Sequence, residues 1–257
     1  MTKEFEIVDV TPDNEEVYDL FCKKSKKKEE GYQNKLTWFK QRYEEGMRIK
    51  ILRVNERGKM TTRGFVEYIP GENAWRPVNA PNYMFIHCLW IVGQNKKKGY
   101  GRMLLDLCIK DAKDKGKVGV AAITSNKTWL TGKKLFVKNG FGVVDTAPPD
   151  CELVVMKFRD TSNPSFPTDW EKRQRKYKEG VTVLYTDQCP YTIEAVESII
   201  DFVKENGIPA KAIRLKSAEE VQRKAPTAFG TMGVVFNGEA LPYNYTTRKN
   251  LLKVIKS

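Results

Sequence analysis

Two short segments carry residue types suited to chemistry. The first is Lys96-Lys97-Lys98-Gly99-Tyr100-Gly101-Arg102. Two glycines one residue apart let the backbone turn tightly and bring its N–H groups against an anion. A helix predicted to open at Gly99 adds free N–H donors and the positive end of its dipole. Three lysines and Arg102 surround the turn with positive charge. These are the parts of a pyrophosphate site. Gly-x-Gly alone equally describes a basic surface turn, and the Gly-Lys-Ser/Thr of a Walker A loop is missing. The second segment is Thr186-Asp187-Gln188-Cys189-Pro190-Tyr191-Thr192, between a predicted strand and a predicted helix. A thiol at a helix start feels the positive dipole end, which lowers its pKa and raises its reactivity. Pro190 suits the first helical turn, where no N–H is needed.

The remaining composition excludes several chemistries. The five cysteines form no Cys-x-x-Cys pair and there is one histidine. A zinc site, a disulfide framework and any triad needing a second histidine are therefore not expected. His87 lies in an apolar run and is expected to be a hydrogen-bonded core imidazole. The net charge of +13 attracts polyanions in general. It permits a nucleic-acid partner, but no zinc finger or RNP-type motif accompanies it. Much of that charge sits in lysine runs such as 23–28, expected as a solvated helix face. The most apolar stretch, 84–92, is too short to span a bilayer. The N-terminus lacks a signal-peptide core, so a cytoplasmic protein without a membrane partner is expected.

The elements that must position these residues are those of a mixed α/β chain. Strands are predicted over 5–10, 48–54, 64–69, 83–92, 118–124, 141–144 and 153–158, with a hairpin turn at 55–58. Helices are predicted over 15–27, 35–45, 99–115 and 132–138. In the third, Met103, Leu104, Leu107, Cys108 and Ala112 recur at three- and four-residue spacing, and Gly116 supplies the stop. Residues 162–167 read as a linker and 169–179 as a basic connector helix. The order then restarts: strand 181–186, helix 192–206, strand 211–215, helix 218–224, a hairpin of 234–237 with 240–245, and a terminal helix over 247–255.

The run Lys96-x-x-Gly99-x-Gly101, with Leu135-Phe136-Val137-Lys138-Asn139-Gly140-Phe141 downstream, resembles the GCN5-related N-acetyltransferase superfamily. That family carries Arg/Gln-x-x-Gly-x-Gly/Ala and a Leu-Tyr-x-x-x-Gly-Phe block. The resemblance implies a splayed mixed sheet over residues 1–160 that binds acetyl-CoA as acyl donor for direct transfer to an amine. The pantetheine arm would lie against the strand ending near Ile91 and Val92. The pyrophosphate would lie on Lys96, Lys97, Lys98, Gly99, Tyr100, Gly101 and Arg102. Lys96 replaces the usual Arg or Gln, and Trp129 stands where an asparagine often touches the cofactor, with Asn126 as the nearby substitute. Phe136 replaces the tyrosine that usually protonates the leaving thiolate. Glu67, Glu72, Tyr83 and water are the candidates for a general base, and Glu67 is the one carried forward.

Residues 180–257 resemble the thioredoxin and glutaredoxin fold, with Thr192 in place of the second cysteine of Cys-Pro-Tyr-Cys. The whole resembles acetyltransferases with a YoaP-like C-terminal part, 161–179 being the connector. Cys189 is thus a candidate catalytic or acceptor-pocket thiol without a resolving partner of its own. An acyl-CoA sensor with little turnover, and a monothiol redox protein, remain as alternatives. The sequence names no acceptor.

Overall fold

The computed structural model describes residues 4–127, 129–242, 251 and 253. Seven strands form one mixed sheet: β1 (Phe5–Val10), β2 (Arg48–Glu56), β3 (Lys59–Pro70), β4 (Tyr83–Ile91), β5 (Gly119–Thr124), β6 (Gly142–Ala147) and β7 (Cys151–Lys157), in the order β1-β2-β3-β4-β5-β7-β6. The turn between β2 and β3 is a tight hairpin because Arg57 (φ 55°) and Gly58 (φ 84°) both take the left-handed backbone that a right-twisted ribbon requires. Among the described residues β4 and β5 are the only parallel neighbours of this sheet, and they pair from Tyr83 with Gly119 to Ile86 with Ala122. Past that point β4 runs on to Ile91 without its partner. The sheet splays there.

One sheet face is covered by α3 (Tyr100–Asp114), whose Leu104, Leu105, Cys108 and Ala112 pack on Val66, Tyr68, Met84, Ile86, Val120 and Val154. Of the face predicted from the spacing, Leu104, Cys108 and Ala112 are buried and Met103 packs against them, but Leu105 takes the place expected of Leu107. The other face carries α2 (Glu30–Glu44), with Tyr32, Trp38 and Phe39 against Ile49, Ile51, Phe65 and Ile69.

A second, four-stranded sheet follows. It is made of β8 (Val181–Tyr185), β9 (Ala210–Arg214), β10 (Met232–Phe236) and β11 (Glu239–Ala240), in the order β11-β10-β8-β9. β8 and β9 are parallel, while β10 is antiparallel to both β8 and β11. Helix α6 (Thr192–Glu205) buries Val196, Ile199 and Val203 on this sheet. The small sheet does not stand apart. Leu184, Leu215, Val221, Ala225 and Val235 join the same apolar cluster as Trp38, Phe39 and Trp75 of the first half. The approach is close enough that a Cβ added to Gly31 of α2 would meet the Pro190 carbonyl oxygen at 2.1 Å.

Two expectations are corrected. The helix over 15–27 is only one turn, Glu15–Tyr18 (α1), because Asp19, Phe21 and Lys23 all take positive φ, which no α-helix accommodates. Lys23 is accordingly not on a solvated face: its side chain is buried and paired with Glu29 and with Glu194 of α6. The connector helix is also short, Trp170–Gln174 (α5). It is strapped down by Gln174 to the Pro226 carbonyl and by Arg173 to the Ala225 carbonyl. The remaining helices are α4 (Lys133–Val137) and α7 (Ala218–Lys224). Residues 243–245 of the expected hairpin and all of the expected terminal helix but 251 and 253 lie outside the described residues. Among the described residues no helix is long and apolar enough to cross a membrane.

Candidate active site: a splayed strand and a buried polar network

The glycine-rich turn sits at the open end of the splay. Lys97 (φ 66°) and Gly99 (φ 84°) both adopt left-handed backbone, curling the chain into a concave row of amides before α3. The first N–H groups of α3, on Tyr100, Gly101 and Arg102, have no acceptor within the helix; the ladder begins with Met103 N to the Gly99 oxygen at 3.1 Å. Lys97, Lys98 and Arg102 are exposed. Lys96 lies over the Trp90 ring, 5.5 Å from its centroid. The Tyr100 ring is buried edge-on against Phe5, so this residue offers only its backbone. A Cβ on Gly101 would touch the Leu135 methyls at 3.6 and 3.7 Å and Ile91 at 3.9 Å. Ile91, Gly101 and Leu135 therefore lie side by side where β4, α3 and α4 meet. Val92, one residue on, is held by its N–H to the Arg63 oxygen at 2.9 Å.

Asn126 is exposed just beyond β5, on the other arm of the splay. Thr131, which the sequence did not single out, hydrogen-bonds its hydroxyl to the Leu89 carbonyl, occupying part of the edge that β4 shows to the opening. Phe136 is 1 % exposed and packs edge-on against Phe141. It brings no proton to the opening.

On the opposite face the ladder slips between Glu67 and Tyr68: Glu67 pairs with Cys88, but Tyr68 pairs with Ile86. This β-bulge leaves His87 as the extra residue. Glu67 is fully enclosed. It accepts an ion-paired hydrogen bond from Lys35 of α2 and one at 2.9 Å from Gln188 Nε2, on the loop before α6. Gln188 in turn accepts from Arg76, which also donates to the carbonyls of Trp75 at 3.0 Å and His87 at 3.1 Å. His87 Nε2 accepts the Trp75 N–H at 2.9 Å. The proton of the neutral ring thus belongs on Nδ1, which faces Glu67 at 3.3 Å without good hydrogen-bond alignment. As expected, His87 is a core imidazole.

The charges of this network follow from burial and from each other. Burial alone raises the Glu67 carboxyl, but Lys35 and His87 outweigh it and hold it at about 2. Burial pushes the His87 imidazole down to about 4, against the pull of Glu67. Glu67 is thus an ionised carboxylate held by Lys35 and Gln188, and a group so stabilised takes a proton reluctantly. That argues against the general-base role suggested by sequence. Glu72, tied to Asn82 N–H and Lys117, and Tyr83, donating to the Ser162 oxygen, lie at or beyond the start of β4. Eight residues of strand, roughly 26 Å, separate Tyr83 from Ile91. Cys189 also departs from expectation. Burial raises its pKa despite the Tyr191 N–H, Lys35, the Thr192 hydroxyl and Arg76, all of which favour the thiolate. Desolvation beats the helix dipole here.

Acid stability should report the buried ring. Below pH 6.5 the unfolded chain takes up a proton at His87 that the folded chain refuses until about pH 4. Stability should fall by roughly 3 kcal/mol across that window. Glu67 adds a later loss between its ordinary 4.5 and about 2. Denaturant titrations at stepped pH would show this, and His87→Gln should flatten the first window. A variant as acid-sensitive there as the parent excludes His87 as the cause.

Over 254 residues the chain is 32% identical to the N-acetyltransferase YoaP of Bacillus subtilis (strain 168), itself uncharacterized, covering 97% of this chain and 98% of that protein. The chain belongs to the YoaP family of N-acetyltransferases. No family model matches it. Among solved structures it is similar to PaiA N-acetyltransferase from Thermoplasma acidophilum, in complex with coenzyme A, at 20% identity and TM-score 0.42, covering 61% of this chain and all of that one. It is also similar to yncA from Salmonella typhimurium, with acetyl-CoA, at 16% identity and TM-score 0.45, covering 63% and 98%. Among the described residues no cluster of three or more His, Cys, Asp or Glu is placed to hold a metal ion. Lys35, Arg76 and Gln188 escaped the sequence reading. A lysine in an amphipathic helix and an arginine in a proline-rich loop carry no signal that they will be buried.

Proposed function

We propose that the protein transfers an acetyl group from acetyl-CoA directly to an amine, with the donor in the splay between β4 and β5. The observation that carries this reading is the parting of β4 from β5 past Ile86, next to the N–H groups of Tyr100, Gly101 and Arg102 that have no acceptor within α3. Those amides, with Lys96, Lys97, Lys98 and Arg102, suit a pyrophosphate. The opened edge of β4 up to Ile91 and Val92 suits an extended pantetheine arm, and Asn126 borders it from β5. The amine nitrogen attacks the thioester carbonyl, and the coenzyme A thiolate leaves and takes up a proton. With Phe136 in the core and Glu67 held by Lys35 and Gln188, positioning supplies the acceleration, and water is the remaining carrier for both protons.

We read residues 1–160 as the acyl-CoA-binding domain, 161–179 as its connector and 180–257 as a thioredoxin-like domain. The order β11-β10-β8-β9, with a cysteine ahead of α6, supports the last. This domain closes the face of the large sheet on which the acceptor would enter, and Cys189 sits on that boundary. Transfer from labelled acetyl-CoA across an amine panel tests the function. Binding without transfer to any amine would instead indicate a sensor. Phe136→Tyr should leave the rate within about twofold and cost about 1–2 kcal/mol of stability, because the new hydroxyl is buried without a partner. A large rate gain in that variant would show that the ring does reach the leaving sulfur.

A further inference from the structure

The chain after β5 passes through the plane of the large sheet. Leu130 is buried with Phe85, Ile123 and Leu153, whereas Leu135 packs against the cluster of Ile86, Ala122 and Val154. Phe85 and Ile86 are successive residues of β4, as are Ala122 and Ile123 of β5, so the two clusters lie on opposite faces. Between Leu130 and Leu135 the chain therefore crosses from one face to the other. Thr131 lies within that crossing, and its hydroxyl donates to the Leu89 carbonyl oxygen.

This crossing meets β4 where β5 has left it. The β4–β5 ladder ends at Ile86 with Ala122, and Leu89 lies beyond that end. The Val92 N–H points to the β3 side, where the Arg63 oxygen accepts it. Backbone groups alternate sides along a strand, so those of Ile91 and Leu89 point the other way, into the gap. At Leu89 the carbonyl is served by a threonine side chain in place of a β5 amide. The edge left between this contact and the glycine-rich turn is short. A Cβ on Gly101 would lie 3.9 Å from Ile91, and Ile91 is roughly 7 Å of strand from Leu89.

We propose that Thr131 determines acyl-chain specificity, barring the far end of the donor site so that only a short acyl group is carried. This rests on the acyl-CoA site proposed above. An arm that enters past Gly101 and Ile91 and runs back along β4 meets the Thr131 hydroxyl at Leu89. A two-carbon acetyl group ends before that contact, whereas a longer chain reaches it and has to displace the hydroxyl. Leu89 is buried, so its carbonyl would then lack both its donor and water. One such unsatisfied group costs about tenfold in affinity. Thr131 thus selects the acyl group, while the turn at 96–102 holds the rest of the donor.

Calorimetry of the full chain with coenzyme A, acetyl-CoA, butyryl-CoA and hexanoyl-CoA tests this without knowledge of the amine. Each affinity is read as a ratio to that of coenzyme A on the same variant, so a general loss of binding cancels. The parent should bind butyryl-CoA and hexanoyl-CoA about tenfold or more weakly than acetyl-CoA. Thr131→Ala removes the hydroxyl and the methyl, and should bring the butyryl ratio to within about threefold of the acetyl ratio. Thr131→Ser keeps the hydroxyl and should keep the parent's order. A parent that binds coenzyme A but takes hexanoyl-CoA as tightly as acetyl-CoA overturns the inference alone, and so does a Thr131→Ala chain with the parent's ratios. The parent's ratios come from the unaltered chain, so they decide even where the alanine variant fails to fold. A parent that binds neither coenzyme A nor acetyl-CoA overturns the donor site itself, and the inference falls with it.

Discussion

Gly101→Val should weaken acetyl-CoA binding by about 10- to 100-fold while leaving the fold intact. The single Cβ of alanine would fit in ordinary contact with Leu135 and Ile91, at 3.6 to 3.9 Å. Valine adds two further methyls, which must crowd either Leu135 and Ile91 or the space above the N–H groups of α3. Overfilling so confined a space costs about 1–3 kcal/mol, and each 1.4 kcal/mol is tenfold in affinity. Calorimetry with acetyl-CoA measures the loss, and a thermal melt separates it from unfolding. Gly101→Ala should fall between parent and valine. Unchanged affinity in Gly101→Val would remove the turn from the donor site, whatever the chain transfers.

Lys35→Met should cost about 3–5 kcal/mol of folding stability, because it strands the Glu67 carboxylate without its cation in a fully enclosed place. The lost contact over the Trp38 ring, at 4.2 Å from the centroid, is minor beside this. Removing both partners in Lys35→Met with Glu67→Leu should recover part of the loss. The pH dependence gives a sharper test. With Lys35 present the folded carboxyl lies below its ordinary 4.5, at about 2, so its contribution is complete above 4.5 and fades as pH falls towards 2. Without Lys35 burial prevails and lifts the folded pKa above 4.5, which reverses the sign: the variant loses stability as pH rises through that lifted value. The gap between parent and Lys35→Met should therefore widen from pH 5 to pH 8. Denaturant titrations at the two pH values decide it, and a constant gap would show that Lys35 matters only for its packing.

Much of the proposed donor side was legible in the sequence. Gly99 announces the turn because few other residues permit its left-handed backbone, and the spacing of Leu104, Cys108 and Ala112 announces the helix it opens. The apolar stretch ending at Ile91 marks the strand beside them, and the hairpin at 55–58 is written in its turn residues. These are local signals, carried by dihedral preference and periodicity within a few neighbouring residues. What only the tertiary structure decided is long-range. Whether Lys35 is a surface charge or the counter-ion of Glu67 depends on α2 packing on the large sheet, and whether Lys23 faces water or Glu194, and Cys189 faces water or the interior, depends on the small sheet docking onto α2. The same docking reverses the expectation for the Cys189 pKa. The helix start acts over a few ångströms of local chain, whereas desolvation depends on every atom brought around the sulfur, and the residues that do so lie more than a hundred positions away.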